Sequence, residues 1–219
     1  MKITLKNVSK SFNEICILND VNVTFKSGNI YALVGINGSG KSVLLKMICG
    51  FYAPSSGEIL QDGFNYIENG KYPVDTRCLI EKPQFLPELT GYENLKLLAD
   101  IQGKIGKQEI EQALKIVNLY QDKDKNKKYF KYSLGMKQKL GIAQVLMENP
   151  EVIILDEPFN GIEKNTATII RKELKRLAAL GKLIIIATHI DIDIKAFADI
   201  VYEVDGGKVY SLVMEESNR

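Results

Sequence analysis

Cysteine, histidine, surplus charge and long apolar runs are all scarce in this chain of 219 residues. Its three cysteines, Cys16, Cys49 and Cys78, are an odd number without C-x-x-C spacing. That excludes a disulfide framework and a cysteine-based zinc site, and it fits a reducing cytosol. Lys and Arg total 29 against 27 Asp and Glu, a formal net charge of +2, so no global field draws the protein to nucleic acid or to an anionic membrane. No nucleic-acid partner is expected. The one basic run, K-D-K-N-K-K at 123–128, is interrupted by Asp124 and Asn126 and contains no aromatic residue; it reads as a solvated loop. The longest strongly apolar run, L-I-I-I-A at 183–187, falls far below the ~20 residues that span a bilayer. Residues 1–7 alternate apolar and polar, and Lys6 and Asn7 interrupt any secretion-signal core. If the protein acts at a membrane, another chain must cross it. There is no internal repeat and no low-complexity segment.

The length suffices for a sizeable core in one compact domain. I-T-L-K-N-V and V-N-V-T-F alternate as half-buried strands, and I-Y-A-L-V-G is a continuous apolar run that fits a buried parallel strand ending at Gly35. A helix is expected from about Gly40, turning Val43, Leu44, Met47 and Ile48 inward and stopping at Gly50, with a turn over 53–57. The middle third, 85–149, reads as a mostly helical lobe. Thr90 stands three residues before Glu93, the capping-box spacing, and 107–119 and 135–148 carry apolar residues at helical intervals. After Pro150 the strand pattern returns: V-I-I-L-D, a long amphipathic helix over 163–180, K-L-I-I-I-A-T, a short helix, then I-V-Y-E-V and K-V-Y-S-L-V. Strands alternating with helices imply an α/β fold with a parallel sheet covered on both faces.

Gly35, Gly40, Lys41 and Ser42 satisfy G-x-x-x-x-G-K-[ST] between a buried strand and a helix. Glycines let backbone amides turn toward phosphate oxygens, and the helix start adds its positive end. Lys41 can reach the β and γ phosphates of a nucleotide and Ser42 can ligate magnesium. Ile36, Asn37, Gly38 and Ser39 within the loop, and Val43 after it, complete the candidate cradle. V-I-I-L-D-E supplies a partner, an apolar strand delivering Asp156 and Glu157 at its carboxyl end, where open α/β sheets bind ligands. Asp156 is the candidate magnesium holder, through water, and Glu157 the candidate base that orients or deprotonates an attacking water. His189 follows the next buried strand, which should lie beside that of Asp156, so its side chain can face the γ phosphate. The bland alternative is a structural histidine.

With these assigned, Y-S-L-G-M-K-Q at 132–138 acquires a reading. The chain resembles, over nearly its whole length, the nucleotide-binding subunits of ABC transporters, in which a signature motif, usually L-S-G-G-Q, begins a helix. Tyr132, Ser133, Leu134, Gly135 and Met136 occupy those five positions, followed by Gln138 and Lys139. The resemblance implies a P-loop NTPase core with a parallel sheet (1–84 and 150–219), an N-terminal antiparallel β subdomain and a helical insertion (85–149). It implies ATP and Mg²⁺ as ligands, and Ser133 and Gly135 completing an ATP site in an opposing subunit. Two copies, or this chain and a paralogous ATPase, would then pair head to tail. A transmembrane transporter subunit would hold the protein on the cytoplasmic, inner face of the cell membrane. A plain helix N-cap is the alternative for Ser133. Phe12 falls where the family usually stacks an aromatic on adenine, the alternative being a packed strand aromatic.

Two positions depart from the family pattern. In E-P-F-N-G-I-E-K the customary Asp of the D-loop is Glu163, and in L-I-E-K-P-Q the expected glutamine of the Q-loop is Glu81, with Gln84 three residues late. A Glu there is familiar in the branch that handles bacitracin and lantibiotic peptides, which S-L-G-M-K-Q-K-L-G-I-A also resembles. Glu81 is therefore a candidate metal ligand that adds negative charge. The leading expectation is an ATPase subunit energising export of, or immunity to, a peptide-like compound, without an appended regulatory domain. A soluble ABC-type ATPase of DNA repair or ribosome regulation normally has coiled-coil insertions or tandem copies. A P-loop kinase would leave 132–138 and His189 unexplained.

Overall fold

The computed structural model describes residues 1–121, 124, 126–189 and 197–212. Nine strands and five α-helices are described. A three-stranded antiparallel sheet has the order β2-β1-β4, from β1 (Lys2–Phe12), β2 (Ile15–Lys26) and β4 (Ser56–Gln61). A six-stranded sheet has the order β5-β6-β7-β3-β8-β9, from β3 (Ile30–Val34), β5 (Thr76–Leu79), β6 (Val152–Asp156), β7 (Leu183–Thr188), β8 (Ile200–Asp205) and β9 (Lys208–Leu212). It is parallel throughout except for the β8–β9 pair.

Burial on both faces explains why β3, β6 and β7 read as unbroken apolar runs. Along β6, Ile153 and Leu155 pack into one core with the helices of the middle third, while Val152 and Ile154 pack into a second core under the antiparallel sheet. Successive side chains of a strand point to opposite faces, so a strand with two cores needs an apolar residue at every position. Helix α1 (Lys41–Ile48) serves the second core with Leu44, Leu45, Met47 and Ile48, all fully buried. Each such side chain contributes roughly 1.5–3 kcal/mol on burial. Val43, expected inward, is only half-buried, because α1 lies between two sheets and its stripe centres on 44, 45 and 48.

The middle third holds α2 (Gly91–Gln102), α3 (Lys107–Ile116), one 3-10 turn (Tyr129–Lys131) and α4 (Leu134–Leu146). The capping box forms: Thr90 Oγ1 accepts from the Glu93 N–H, and Glu93 Oε2 accepts from the Thr90 N–H at 2.7 Å. Asn94, buried at one end of α2, accepts from the Leu86 N–H at 2.9 Å and donates to the Leu86 and Thr90 carbonyls, which knots the segment before α2 to the helix. Helix α5 (Lys164–Ala179) follows β6.

Several boundaries differ from expectation. β4 begins at Ser56, inside the segment 53–57 read as a turn, and β5 was not anticipated. The helix expected over 107–119 ends at Ile116, where Asn118 takes a φ of 56°. The short helix expected after His189 lies outside the described residues, as do Lys123 and Lys125 of the basic run. Among its described members, Lys128 pairs with Glu88 at 3.4 Å.

Candidate nucleotide site

The parallel sheet brings the carboxyl ends of β3, β6 and β7 side by side, and the sequence motifs leave from those three ends. Between β3 and α1 the loop turns tightly. Gly40 caps α1 at φ 105°, a conformation that side chains rarely adopt, and a Cβ there would meet Leu18 at 3.1 Å. The Lys41 ammonium folds back over the loop and donates to the carbonyls of Gly35 and Ile36 at 2.7 and 2.9 Å. Burial pushes its pKa down, against the opposing pull of Glu157 and Asp156.

Ser42, in the first turn of α1, donates its hydroxyl to Asp156 Oδ2 at 2.6 Å. Burial is the main cause that raises the Asp156 carboxyl above its ordinary range; the Ser42 bond opposes it, and Glu157 adds to it. A buried carboxylate beside a hydroxyl oxygen is the donor set of a hard cation such as Mg²⁺. Among the described residues no group of three or more His, Cys, Asp or Glu could hold a metal unaided, so a cation here would draw its other ligands from phosphate or water. Ser39 Oγ, inside the loop, is buried without a hydrogen-bond partner among the described residues, an orphan polar atom of the kind a bound phosphate would satisfy.

Glu157, just past β6, has a left-handed backbone at φ 45°. Its carboxylate accepts from the Thr188 hydroxyl at 3.0 Å and from the His189 N–H at 3.0 Å, and His189 Nδ1 lies 3.1 Å from Oε2. The histidine thus reaches the neighbouring acid, and its ring is exposed. Thr188 has no motif of its own and was not anticipated.

A cavity of about 800 Å³ is lined by Asn37, Gly38, Gly40, Lys41, Ser42, Val43, Glu81, Asp156 and Glu157 of the expected residues. Ile17, Lys82, Gln84, Leu134, Gln138 and Asn160 also line it. Gln84, the glutamine three residues late, therefore faces the same space as Glu81. The Glu81 carboxylate is paired with Lys46 of α1, and its own φ is 67°. Gly35 and Ile36 contribute the two carbonyls that hold Lys41 rather than lining the cavity. Phe12 stands apart from that lining, at the end of β1, edge-on to Tyr52 at 5.4 Å with the Lys10 ammonium 4.9 Å from its ring centroid. Ser133 and Gly135 are also outside the lining. Ser133 is exposed and caps α4 by accepting from the Met136 N–H at 3.3 Å.

A P-loop between a parallel strand and a helix, two carboxylates at the end of β6 with β7 between the two strands, and a Ser/Gly-started helix define a nucleotide-binding cassette. The ABC transporter family matches residues 18–160, and the chain belongs to it. It is 39% identical over 201 residues to the bacitracin transport ATP-binding protein of Enterococcus faecalis, covering 91% of this chain and 65% of that one. It is 33% identical over 205 residues to the lantibiotic transport ATP-binding protein of Streptococcus pyogenes, covering 94% and 87%. The fold matches an ATP-binding cassette solved as a dimer in a post-hydrolysis state bound to ADP and Pi, with a TM-score of 0.85, 26% identity and coverage of 97% and 99%. Among the described residues no helix is long and apolar enough to cross a membrane.

Proposed function

We propose that this chain binds and hydrolyses ATP to energise an ABC transporter that exports, or gives immunity to, a peptide-like compound. The observation that carries the reading is the convergence of Lys41, Ser42, Asp156 and Glu157 on one cavity. Lys41, released from the Gly35 and Ile36 carbonyls, would reach the phosphates. The amides of 36–43 and the start of α1 would surround them. Ser42, Asp156 and, from the Q-loop, Glu81 would hold Mg²⁺, which supplies charge neutralisation on the phosphate oxygens. Glu157 would take a proton from the attacking water. Thr188 and His189 hold its carboxylate in place, and the exposed His189 ring remains free to hydrogen-bond the γ phosphate from its other nitrogen. Phe12 would stack on the adenine from β1. The bacitracin and lantibiotic transport proteins named above support the peptide-like class of compound.

The core of this reading is 1–84 with 150–219, and the helical lobe 85–149 would meet a transmembrane subunit on the cytoplasmic face. Ser133 and Gly135, outside the cavity of their own chain, would complete the ATP site of a second copy or a paralogous subunit arranged head to tail. Size-exclusion chromatography with light scattering on Glu157→Gln tests both halves of the site. ATP should convert monomer to dimer when hydrolysis is blocked, and adding Ser133→Arg should abolish the shift. A dimer that forms equally well with Ser133→Arg would remove the signature turn from the site.

A further inference from the structure

Helix α4 also makes a set of contacts within its own chain, to the loop that follows β6. Gln138 is buried, and its side-chain amide donates to the backbone carbonyl of Glu157 at 3.2 Å and to that of Pro158 at 3.4 Å. One turn earlier, Gly135 presses on the loop that follows: a Cβ at that position would lie 2.2 Å from the Gly161 carbonyl oxygen. Lys139, its side chain almost wholly buried, lies 3.5 Å from the exposed carboxylate of Glu163. Positions 135, 138 and 139 stand three and four residues apart, so they share one face of the helix. That face grips the loop 157–163 at its beginning, its middle and its end.

The grip matters because of where the loop starts. Glu157 sits at φ 45°, a region that is costly for a residue with a side chain and persists only where surroundings over-determine it. The carboxylate is held from one side by Thr188 and His189, and the peptide carbonyl from the other by Gln138. On the preceding side the Glu157 N–H donates to the Ala187 carbonyl at 2.8 Å; with both flanking peptide planes held, the φ and ψ of Glu157 are set and, with them, the direction in which Cβ leaves the chain. An apolar residue at 138 would leave two carbonyls without this donor in a buried setting.

We infer that Gln138 is a positioning residue for the hydrolytic reaction: by holding the Glu157 and Pro158 carbonyls it aims the Glu157 carboxylate and ties it to the helix that the signature turn begins. The inference rests on the ATPase reading, in which Glu157 is the base. It makes the tie between the two half-sites internal to one chain: Ser133 starts the helix, and Gln138, little more than one turn on, holds the acid.

The test is steady-state ATPase kinetics with the full chain, assayed as wild type, Gln138→Met, Glu157→Gln and the double variant. Methionine keeps length and volume and removes the donor. Gln138→Met should lower kcat about 10-fold, equivalent to ~1.4 kcal/mol, while KM for ATP and the affinity for a fluorescent ATP analogue stay within a factor of two. In the Glu157→Gln background the same change should have no further effect on the residual rate, because two residues that act through one group are not additive. Gln138→Asn, which keeps the amide but is one methylene too short, should reproduce the kcat loss if the Met variant fails to fold. A tenfold loss in both backgrounds, or a raised KM with kcat intact, would overturn the role. Near-normal turnover by Glu157→Gln alone would instead sink the base assignment, an outcome read from a different variant.

Discussion

The loop before α1 and the turn before α4 both place small residues at the start of a helix, and the first gathers a lysine and an acid around it within the chain. In the loop 35–40 every feature converges: Gly40 allows the close turn, Lys41 is held over its own carbonyls, and Ser42 meets Asp156 at 2.6 Å at the cavity. At 133–135 the same chemistry serves as a helix cap: Ser133 is exposed and accepts from the Met136 N–H, and neither it nor Gly135 lines the cavity that Lys41, Ser42 and Asp156 line. A helix N-terminus attracts an anion wherever it occurs, but affinity needs the lysine and the cation ligands as well. The difference teaches that the first turn has its lysine and its acid within its own chain, whereas the second, on the head-to-tail arrangement proposed above, would be used by another. The sharpest way to break the contrast is Lys41→Ala. It removes the one cation of the first turn, and ATPase activity should fall by at least about 10²-fold. Turnover close to wild type would mean that the loop amides suffice and that the two turns differ less than their geometry implies.

A gentler change sharpens the same contrast by separating the empty site from the loaded one. Asp156 has a folded pKa raised above the ordinary 3.8, chiefly by burial. A carboxyl raised on folding binds its proton more tightly in the native state than in the unfolded chain. Its stabilising contribution is therefore complete below 3.8 and is lost as pH rises through the folded pKa. At neutral pH the ionised Asp156 costs the nucleotide-free protein stability. Asp156→Asn keeps an acceptor for the Ser42 hydroxyl and should raise the Tm of the nucleotide-free protein at pH 7. The gain should shrink as the pH is lowered toward 3.8. The same variant should lose about 10–100-fold in magnesium-dependent turnover, the cost typical of an outer-shell metal partner. Thermal scans with and without Mg²⁺ and ATP check both halves, and a lower Tm in the empty protein would show that Asp156 is wanted there for structure.

How much of this could be read from residues alone follows the range of the forces involved. The buried strands β3, β6 and β7 were legible because a strand with a core on each face must be apolar throughout. The capping box at Thr90 and the P-loop are local by nature, set by spacings of three to seven residues. β5 was not legible: T-R-C-L is four residues at the sheet edge, half-buried, neither alternating nor continuously apolar. Helical period alone points to Val43 and not to Leu45, because it does not say how wide a stripe two sheets will cover. Thr188 and Gln138 reach Glu157 across 31 and 19 residues, contacts that only the β6–β7 register and the docking of α4 create. The candidate site was thus visible in the loop and strand-end residues that line the cavity, and invisible in the contacts that reach Glu157 from β7 and α4.

The smallest expected effect lies at the rim of the cavity, where Glu81 replaces an uncharged amide of the family pattern. Its carboxylate is paired with Lys46, and that hydrogen bond is the main cause that raises the Lys46 pKa. Both groups belong to the cavity's own chain: Lys46 is on α1, and the segment after Glu81 is pinned by the Tyr129 hydroxyl, which donates to the Pro83 carbonyl at 2.7 Å. The Glu81 side chain is 67% exposed, so the pair itself is worth only about 0–1 kcal/mol, and it can be exchanged for a cation at little cost. Glu81→Gln should therefore leave the Tm nearly unchanged. It should shift the magnesium concentration for half-maximal ATPase activity upward by a few-fold, because an anionic oxygen that could face the metal has become a neutral one. A magnesium titration that superimposes on wild type would confine Glu81 to its bond with Lys46 and leave Gln84, which faces the same cavity, as the residue of this segment to change next.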